Sequence, residues 1–226
     1  MIYNIYCIYD YYHLLFADIT HFQPISKPAM PRVSKEQTDL NRYAIENVSA
    51  KLFREKGFNG VSVADLMAAA GLTHGGFYGH FSSKDELAAV ACANAFDHAV
   101  ERWKKRVESA IDDKAALKTI VDNYLSSKNV LDIGNSCPGP ALAVDVAREA
   151  SDKPVRAAYL AGTTELVEVL ASLVASSDPA TRRKIALAQW STMVGAMMLA
   201  RATHDDAIAE EILSAARTRL LADANS

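Results

Sequence analysis

Between Ser62 and Ser83 the chain carries the signals that begin and end short helices. Ser62 stands three residues before Asp65, the spacing at which a hydroxyl caps a helix N-terminus, and Gly71 stands where the chain would have to turn sharply. Thr73 then precedes another short helix, and Ser83 opens the Ser-x-x-Glu pattern of a capping box before a longer one. Two short helices joined through a glycine turn and braced by longer helices predict a helix-turn-helix.

Helical patterns continue along the chain from Met30 onward, and no segment shows a convincing strand pattern. The first helix is predicted from about Ser34 to Gly57, because its apolar residues recur every three or four positions and form one stripe. That stripe consists of Ile45, Val48, Ser49, Leu52 and Phe53. Further helices are predicted near residues 83–110, 115–128, 141–150, 154–173, 179–202 and 206–223. A loop broken by Pro138 and Pro140 is expected before the helix that starts near residue 141, and the fold class is all-α.

Two adjacent glycines, Gly75 and Gly76, lie inside the second short helix. Each costs roughly 1 kcal/mol relative to alanine in a helix, so helix stability does not explain them. Close approach of the backbone to another surface does explain them, and the DNA major groove is such a surface. Nearby side chains offer donors suited to phosphate oxygens and base edges. The candidate DNA-binding residues are Arg32, Lys35, Ser62, Thr73, His74, Gly75, Gly76, Tyr78, His80 and Lys84.

Different roles are expected within this candidate set. Tyr78 and Lys84 are predicted to contact phosphates, and His74 to contact a base edge. Thr73 is predicted to cap the short helix and to bind phosphate with the same hydroxyl. The alternative for these side chains is an exposed, solvated position without a partner.

The segment ahead of the first helix and the chain's chemical motifs add further limits. Arg32 and Lys35 are candidates for an arm that reaches the DNA backbone or minor groove. His74 and His80 lack carboxylate or thiolate partners, so no metal site is predicted. The chain has no phosphate-binding Gly-x-x-x-x-Gly-Lys loop, no Gly-x-Ser-x-Gly elbow and no His-Glu-x-x-His pair, which argues against an enzyme and against a bound cofactor.

Composition places the chain among ordinary globular proteins. Its 226 residues are 50% hydrophobic and carry a net charge of -3, so nucleic-acid binding would depend on a local patch rather than on overall charge. The three cysteines form no Cys-x-x-Cys pair, which argues against a disulfide framework and favours a reducing cytoplasm.

Changes in composition along the chain predict three regions. Residues 1–29 are rich in tyrosine and lack the features of a signal peptide or a membrane span, so they are expected to be a disordered extension or the result of a start codon assigned too early. Docking of this segment on the body or on a partner is the alternative. Residues 30–86 are expected to form the helix-turn-helix domain, and residues 87–226 a second helical domain.

Residues 45–87, which read IENVSAKLFREKGFNGVSVADLMAAAGLTHGGFYGHFSSKDEL, resemble the DNA-binding region of the TetR family of transcriptional regulators. The matching landmarks are Phe53, Gly57, Phe58, Val63, Ala70, Gly71, Leu72, Phe77, Tyr78, His80, Phe81, Lys84 and Leu87. The resemblance is looser after Asp97. Gly76 stands where the family commonly has a small polar residue, and Gly79 replaces a larger one, so this motif offers few side chains that read bases.

The resemblance implies a homodimeric regulator that binds a pseudo-palindromic, double-stranded DNA operator, most often a repressor released by a small-molecule effector. It also implies that the last two helices build the dimer interface. The residues agree, because the helix starting at Pro179 is apolar on more than one face and therefore needs two packing partners. No membrane partner is expected. The alternatives are an activator with the same motif and a helical adaptor that uses residues after Asp97 only for protein partners.

Large, adaptable side chains in the second region are candidates for lining an effector pocket, which predicts an apolar or aromatic effector. They are Phe96, Trp103, Tyr124, Cys137, Tyr159, Trp190 and Met193. Simple core packing is the alternative for each of them. Cys137 is also a candidate redox sensor, but no local cluster of cations lowers its pKa, so an inert buried thiol is favoured.

Overall fold

The computed structural model describes residues 34–223, and every regular element in that range is a helix, as the sequence predicts. The α-helices are α1 Lys35–Lys56, α2 Val63–Ala69, α3 Lys84–Ser109, α4 Asp113–Tyr124, α5 Ser127–Leu131, α6 Pro138–Arg148, α7 Pro154–Ser172, α8 Pro179–Ala202 and α9 Ile208–Asp223. Two 3-10 helices, His74–Gly79 and Ile133–Asn135, complete the described elements. We call His74–Gly79 the glycine-rich helix. The predicted extension, residues 1–29, and the predicted arm residue Arg32 lie outside the described range.

Glycines end the first two helices, as predicted. Gly57 follows α1 and Gly71 follows α2, and each has a φ of +73°, a conformation that only glycine adopts at little cost. The amide of Gly57 donates to the carbonyl of Phe53 at 2.9 Å. Ile45 and Phe53, from the predicted apolar stripe, are buried, so α1 turns that stripe toward the core.

Side chains cap the starts of α2 and α3. The Ser62 hydroxyl accepts a hydrogen bond from the Asp65 amide at 3.1 Å, and the Asp65 carboxylate accepts one from the Ser62 amide at 2.9 Å. The Ser83 hydroxyl likewise accepts from the Glu86 amide at 3.1 Å. The Glu86 carboxylate, however, accepts from the Ser82 amide at 2.7 Å. The capping box predicted at Ser83 is therefore correct in one half, and its reciprocal bond goes to the preceding residue.

Two predicted boundaries in the second region are wrong. Pro138 and Pro140 do not precede the next helix but lie in the first turn of α6. Amides in a first turn have no partner within the helix, so proline loses no hydrogen bond there. The helix predicted over residues 115–128 is two helices, because α4 ends at Tyr124 and α5 starts at Ser127.

The most extensive helix packing joins α3 and α7. Gly162 of α7 is buried against Phe96 of α3, and a Cβ at Gly162 would lie only 2.1 Å from Cγ of Phe96. This close approach explains a glycine in the middle of a long helix, where it otherwise lowers stability. One continuous hydrophobic core runs from α1 to α9.

The helix-turn-helix contacts the second region at several places besides the continuous helix α3. The Phe58 amide donates to the Asp145 carboxylate of α6 at 3.3 Å. Gly134, in the short 3-10 helix, packs on α1 so closely that a Cβ would lie 2.3 Å from Oε1 of Glu55 and 2.8 Å from Cγ of Lys51. The end of α1 is therefore held directly by the second region.

Candidate functional site

One side of the glycine-rich helix is anchored in the core, and the other side is exposed. Phe77 is fully buried, and its ring lies 5.9 Å from the ring of Phe81. Tyr78, the next residue, has 72% of its surface exposed, and His74 is exposed as well. The helix therefore presents a polar aromatic side chain and an imidazole to the outside while one phenylalanine fixes its position.

The glycines of this helix are not required by packing within the chain. A Cβ at Gly75 or Gly79 would meet no atom within 4 Å, and a Cβ at Gly76 would meet Cε of Met67 at 3.6 Å, an ordinary contact. None of the three has a positive φ. Neither space nor backbone conformation within the chain therefore demands glycine at these three positions.

Hydrogen bonds within the chain define what three of the candidate DNA-binding side chains have available, and one of the three predictions is wrong. Thr73 stands at the N-cap position, but its hydroxyl makes no capping hydrogen bond, so the predicted capping role is wrong. The Lys84 ammonium donates to the Phe58 carbonyl, which occupies one of its three donors. The Ser62 hydroxyl is engaged with Asp65 and also donates to that carboxylate at 2.6 Å.

Arg42 supports the glycine-rich helix and was missed by sequence reasoning. Its guanidinium carbon lies 4.2 Å from the ring centroid of Phe81, and it donates to the carbonyl of His80, which is half-buried. Its Nε also pairs with Glu46 at 3.0 Å. The Arg-x-x-x-Glu spacing on α1 was the available signal, but it does not reveal the contact with a loop 38 residues away.

The carboxyl groups of Asp65 and Glu86, at the starts of α2 and α3, have lowered pKa values. Hydrogen bonds from Ser62 hold the pKa of Asp65 below its usual range, and hydrogen bonds from Ser82 do the same for Glu86. Both carboxylates are thus ionised at neutral pH and tied to helix starts.

Lys35, the candidate DNA-binding residue at the start of α1, is exposed.

The predicted effector residues lie in the core of the second region, and only some of them line a cavity. Trp103, Tyr124 and Trp190 form a triangle with ring centroids 5.9–6.0 Å apart. Phe96 and Tyr159 pack edge to face at 5.3 Å. Met193, on α8, is completely buried.

A cavity of about 280 Å³ lies beside the aromatic triangle. Of the seven candidates, Trp103, Tyr124 and Cys137 line it. Its wall also contains Arg102 and Arg106 from α3, which sequence reasoning did not select. The lining therefore contains both aromatic rings and guanidinium groups, whereas a lining suited to an apolar or aromatic effector was expected.

The two described cysteines have strongly suppressed ionisation. Burial raises the pKa of Cys137 to about 11 and the pKa of Cys92 to about 12. A reactive cysteine needs its thiolate, and the thiolate is scarce at neutral pH under these conditions. Arg102 and Arg54 do lie near Cys137, contrary to the expectation that no cations cluster there, but burial outweighs their effect and favours an inert thiol.

Within residues 34–223, no three His, Cys, Asp or Glu side chains come together in a way that would hold a metal ion. No helix in that part of the chain is long and apolar enough to cross a membrane.

Comparisons with known proteins agree with the helix-turn-helix found in the first region. Residues 45–91 match the sequence profile described as bacterial regulatory proteins, tetR family. The transcriptional repressor KstR2 of Rhodococcus jostii (strain RHA1) is 30% identical over 80 residues, which cover 35% of this chain and 39% of that protein. The uncharacterized HTH-type transcriptional regulator YvdT of Bacillus subtilis (strain 168) is 29% identical over 115 residues, or 50% of this chain and 59% of that protein. The matches therefore span less than two thirds of these two relatives.

A solved structure extends the likeness to most of the chain. A TetR transcriptional regulator from Chloroflexus aurantiacus J-10-fl superposes with a TM-score of 0.67 and 26% identity, covering 83% of this chain and 95% of the other. The all-helical fold and the capped motif define a helix-turn-helix protein. Residues 45–91 match the TetR family, and the proteins that the chain resembles over longer stretches are transcriptional regulators rather than enzymes.

Proposed function

We propose that the chain is a sequence-specific DNA-binding transcriptional regulator, and in particular a repressor that a small molecule releases from its operator. The glycine-rich helix carries the proposal, because Gly75 and Gly79 leave its backbone open to an approaching surface beside the exposed Tyr78. The family match covers this motif. A relative named a transcriptional repressor supports the repressor half of the proposal.

The candidate residues divide into phosphate contacts and base contacts. Tyr78 and Thr73 offer hydroxyls that position the protein on phosphates, and Lys84 keeps two donors after its bond to the Phe58 carbonyl. His74 is exposed at the start of the helix and is the candidate for reading a base edge. Few side chains read bases in this arrangement, so the shape of the operator would contribute to specificity.

A homodimer through α8 and α9 completes the proposal. Ala188, Thr192, Gly195 and Leu199 recur along one side of α8 and are exposed or half-buried, and a Cβ at Gly195 would meet no atom within 4 Å. A second copy of the chain would cover this row. Two-fold symmetry then places two glycine-rich helices on half-sites about one helical turn or more apart, so the operator would be pseudo-palindromic.

The effector would bind in the second region, next to the helix that leads back to the motif. The cavity beside Trp103 and Tyr124 supports an aromatic or apolar compound of small size. Such a ligand releases DNA only if it binds the DNA-incompetent arrangement more tightly than the competent one. A coupling of about 1–3 kcal/mol would weaken operator binding roughly 5- to 150-fold. A cytoplasmic location, as for other regulators of DNA, is part of the same proposal.

Labelled duplex DNA from upstream of the protein's own gene tests the proposal. We expect sequence-selective binding that weakens as salt rises, and a footprint with two related half-sites. Lys84→Ala should weaken binding to all sequences and reduce the salt slope by about 1, whereas His74→Ala should change base preference. Lys114→Ala, which removes the same charge from an exposed position on α4, should change neither.

Gly75→Ala separates a contact with DNA from a role in folding. The added Cβ meets open space, so thermal stability should stay the same or rise slightly. Operator affinity should fall, because the Cβ occupies space that the DNA surface approaches. If Gly75→Ala binds operator as the unmodified chain does, the backbone does not approach DNA here. A chain that binds no duplex selectively even at low salt would instead favour the helical adaptor.

A further inference from the structure

We propose that the effector carries an anionic group, and that Arg102 and Arg106 of α3 bind it in the cavity beside Trp103 and Tyr124. This inference rests on the proposed function and specifies the chemistry of its effector. An aromatic or apolar body would pack on the two rings, while the anion would face the guanidinium groups.

Uncompensated positive charge in and around the cavity is the main argument. Three cations, Arg102, Arg106 and Lys128, line the cavity, against a single carboxylate, Asp132. Within residues 34–223 neither of the two arginines forms an ion pair with a carboxylate. The Asp132 carboxylate is engaged by the side-chain amide of Asn135 at 2.8 Å. One Arg106 donor points to the Arg102 carbonyl at 3.4 Å, and the remaining guanidinium donors of the wall match a planar anion.

Two further arginines stand behind the cavity wall. Arg54 donates to the Ser136 carbonyl at 3.0 Å, and Arg201 donates to the Ser136 hydroxyl at 2.6 Å. Neither pairs with a carboxylate among the residues that the structure describes, and the Nε of each is buried without a hydrogen-bond partner there. Burial, and to a smaller extent the nearby Arg102 charge, lower the pKa of Arg54 to about 10, so part of the shift is repulsion between positive charges. A bound anion would relieve that repulsion.

The Tyr124 hydroxyl is the second, independent observation. Tyr124 lines the cavity and is 5% exposed, and the Cys137 thiol, a weak acceptor, is the group beside its buried hydroxyl within the described chain. A ligand oxygen that accepts a hydrogen bond from this hydroxyl would satisfy it better than the thiol does. Burial, and next the Cys137 thiol beside it, raise the pKa of Tyr124 well above its ordinary value, so the hydroxyl stays a donor at neutral pH.

Ser136 connects this cavity to the helix-turn-helix. It lines the cavity, and its carbonyl holds Arg54, three residues before the glycine that ends α1. An anion that draws the loop of residues 132–137 toward Arg102 would therefore change a direct contact of α1. Release of DNA would follow from that change rather than from movement of α3 alone.

Binding is measured first without DNA, on the full-length protein, by thermal shift and calorimetry at constant ionic strength. The probes are benzoate, octanoate and phenyl phosphate, each beside a neutral counterpart (benzamide, octanamide and phenol), and inorganic phosphate alone. We expect at least one organic anion to stabilise the protein more than its neutral counterpart. The preference between carboxylates and phosphates identifies the anionic group. Inorganic phosphate should bind more weakly than the preferred organic anion, because it lacks the body that packs on the rings.

Variants assign the binding to the two arginines. Arg102→Gln and Arg106→Gln should each weaken the preferred anion about tenfold or more, as expected for the loss of one charge-assisted hydrogen bond. Lys104→Gln removes the same charge from an exposed position on the same helix that does not line this cavity, and affinity should be unchanged. The inference is overturned if every anion binds no better than its neutral counterpart, or if all three variants weaken it equally.

Operator release is measured separately, so that the two proposals fail in distinguishable ways. Anion binding that depends on Arg102 and Arg106 in a chain that binds no DNA would leave the site standing and overturn the proposed regulator. Operator binding without any preference for anions would leave the proposed regulator standing and overturn the anion site.

Discussion

Replacing Gly162 with alanine tests the close packing of α7 on α3. A Cβ at this position would lie 2.1 Å from Cγ, 2.4 Å from Cβ and 2.6 Å from Cδ1 of Phe96. These atoms form the base of the phenylalanine side chain, which cannot swing away while α3 keeps its place. One helix would therefore have to shift, and α3 is the helix that links the cavity to the helix-turn-helix.

The expected loss of stability follows from two opposing contributions. Overpacking a core costs about 1–3 kcal/mol, and contacts this short place Gly162→Ala at the upper end of that range. Alanine favours a helix interior by about 1 kcal/mol over glycine. The free energy of unfolding should therefore fall by about 2 kcal/mol, and the Tm by about 4–8 °C for a chain of this size.

Urea unfolding followed by circular dichroism measures this change, at one protein concentration because a dimer makes stability depend on concentration. Ala161→Gly is the matched control, since Ala161 is the neighbouring residue and is exposed. That variant reports helix propensity alone and should lose about 1 kcal/mol. Should Gly162→Ala prove as stable as the unmodified protein, or more stable, the glycine does not set the distance between α3 and α7.

Two further predictions concern ionisation. Ser62→Ala removes a helix cap and should lower the free energy of unfolding at pH 7 by about 0.5–2 kcal/mol. Because the Ser62 bonds depress the pKa of Asp65, their contribution is present above the ordinary pKa of that carboxyl and is lost on acidification. Urea unfolding at pH 3 should therefore show a smaller difference between the two proteins, and an equal difference would refute the role of the carboxylate. Iodoacetamide at pH 8 should label Cys92 and Cys137 only after unfolding, because burial raises the pKa of both thiols. Mass spectrometry of the labelled peptides separates these two cysteines from Cys7. Rapid labelling of Cys137 in the folded protein would restore it as a candidate sensor.

Local features of the helix-turn-helix could be predicted because each depends on few residues. A serine cap at Ser62 involves only the next helical turn, and the positive φ at Gly57 and Gly71 needs only the end of a helix. The 3-10 character of the glycine-rich helix and the unused Thr73 hydroxyl were not predicted, since both depend on how Phe77 is anchored.

The cavity could not be predicted in the same way. Its existence depends on where α3, α4 and the loop of residues 132–137 leave a gap, and one sequence does not encode such gaps. Four of the seven candidate pocket residues do not line this cavity, namely Phe96, Tyr159, Trp190 and Met193. The overlooked signal was Arg102 and Arg106, which lie four apart and have no acidic residue three or four positions away to pair with.

The contacts that hold the end of α1 limit how freely this helix-turn-helix can be transplanted. A hybrid protein that joins residues 35–86 to the second region of a relative keeps a continuous third helix, but it also brings foreign residues to positions 134 and 145. A side chain at 134 would displace the side chains of Glu55 and Lys51 that lie against this glycine, and a residue without an acceptor at 145 would leave the Phe58 amide without its partner. We expect portable hybrids only where both positions are copied together with the motif, so the exchangeable module is discontinuous in sequence.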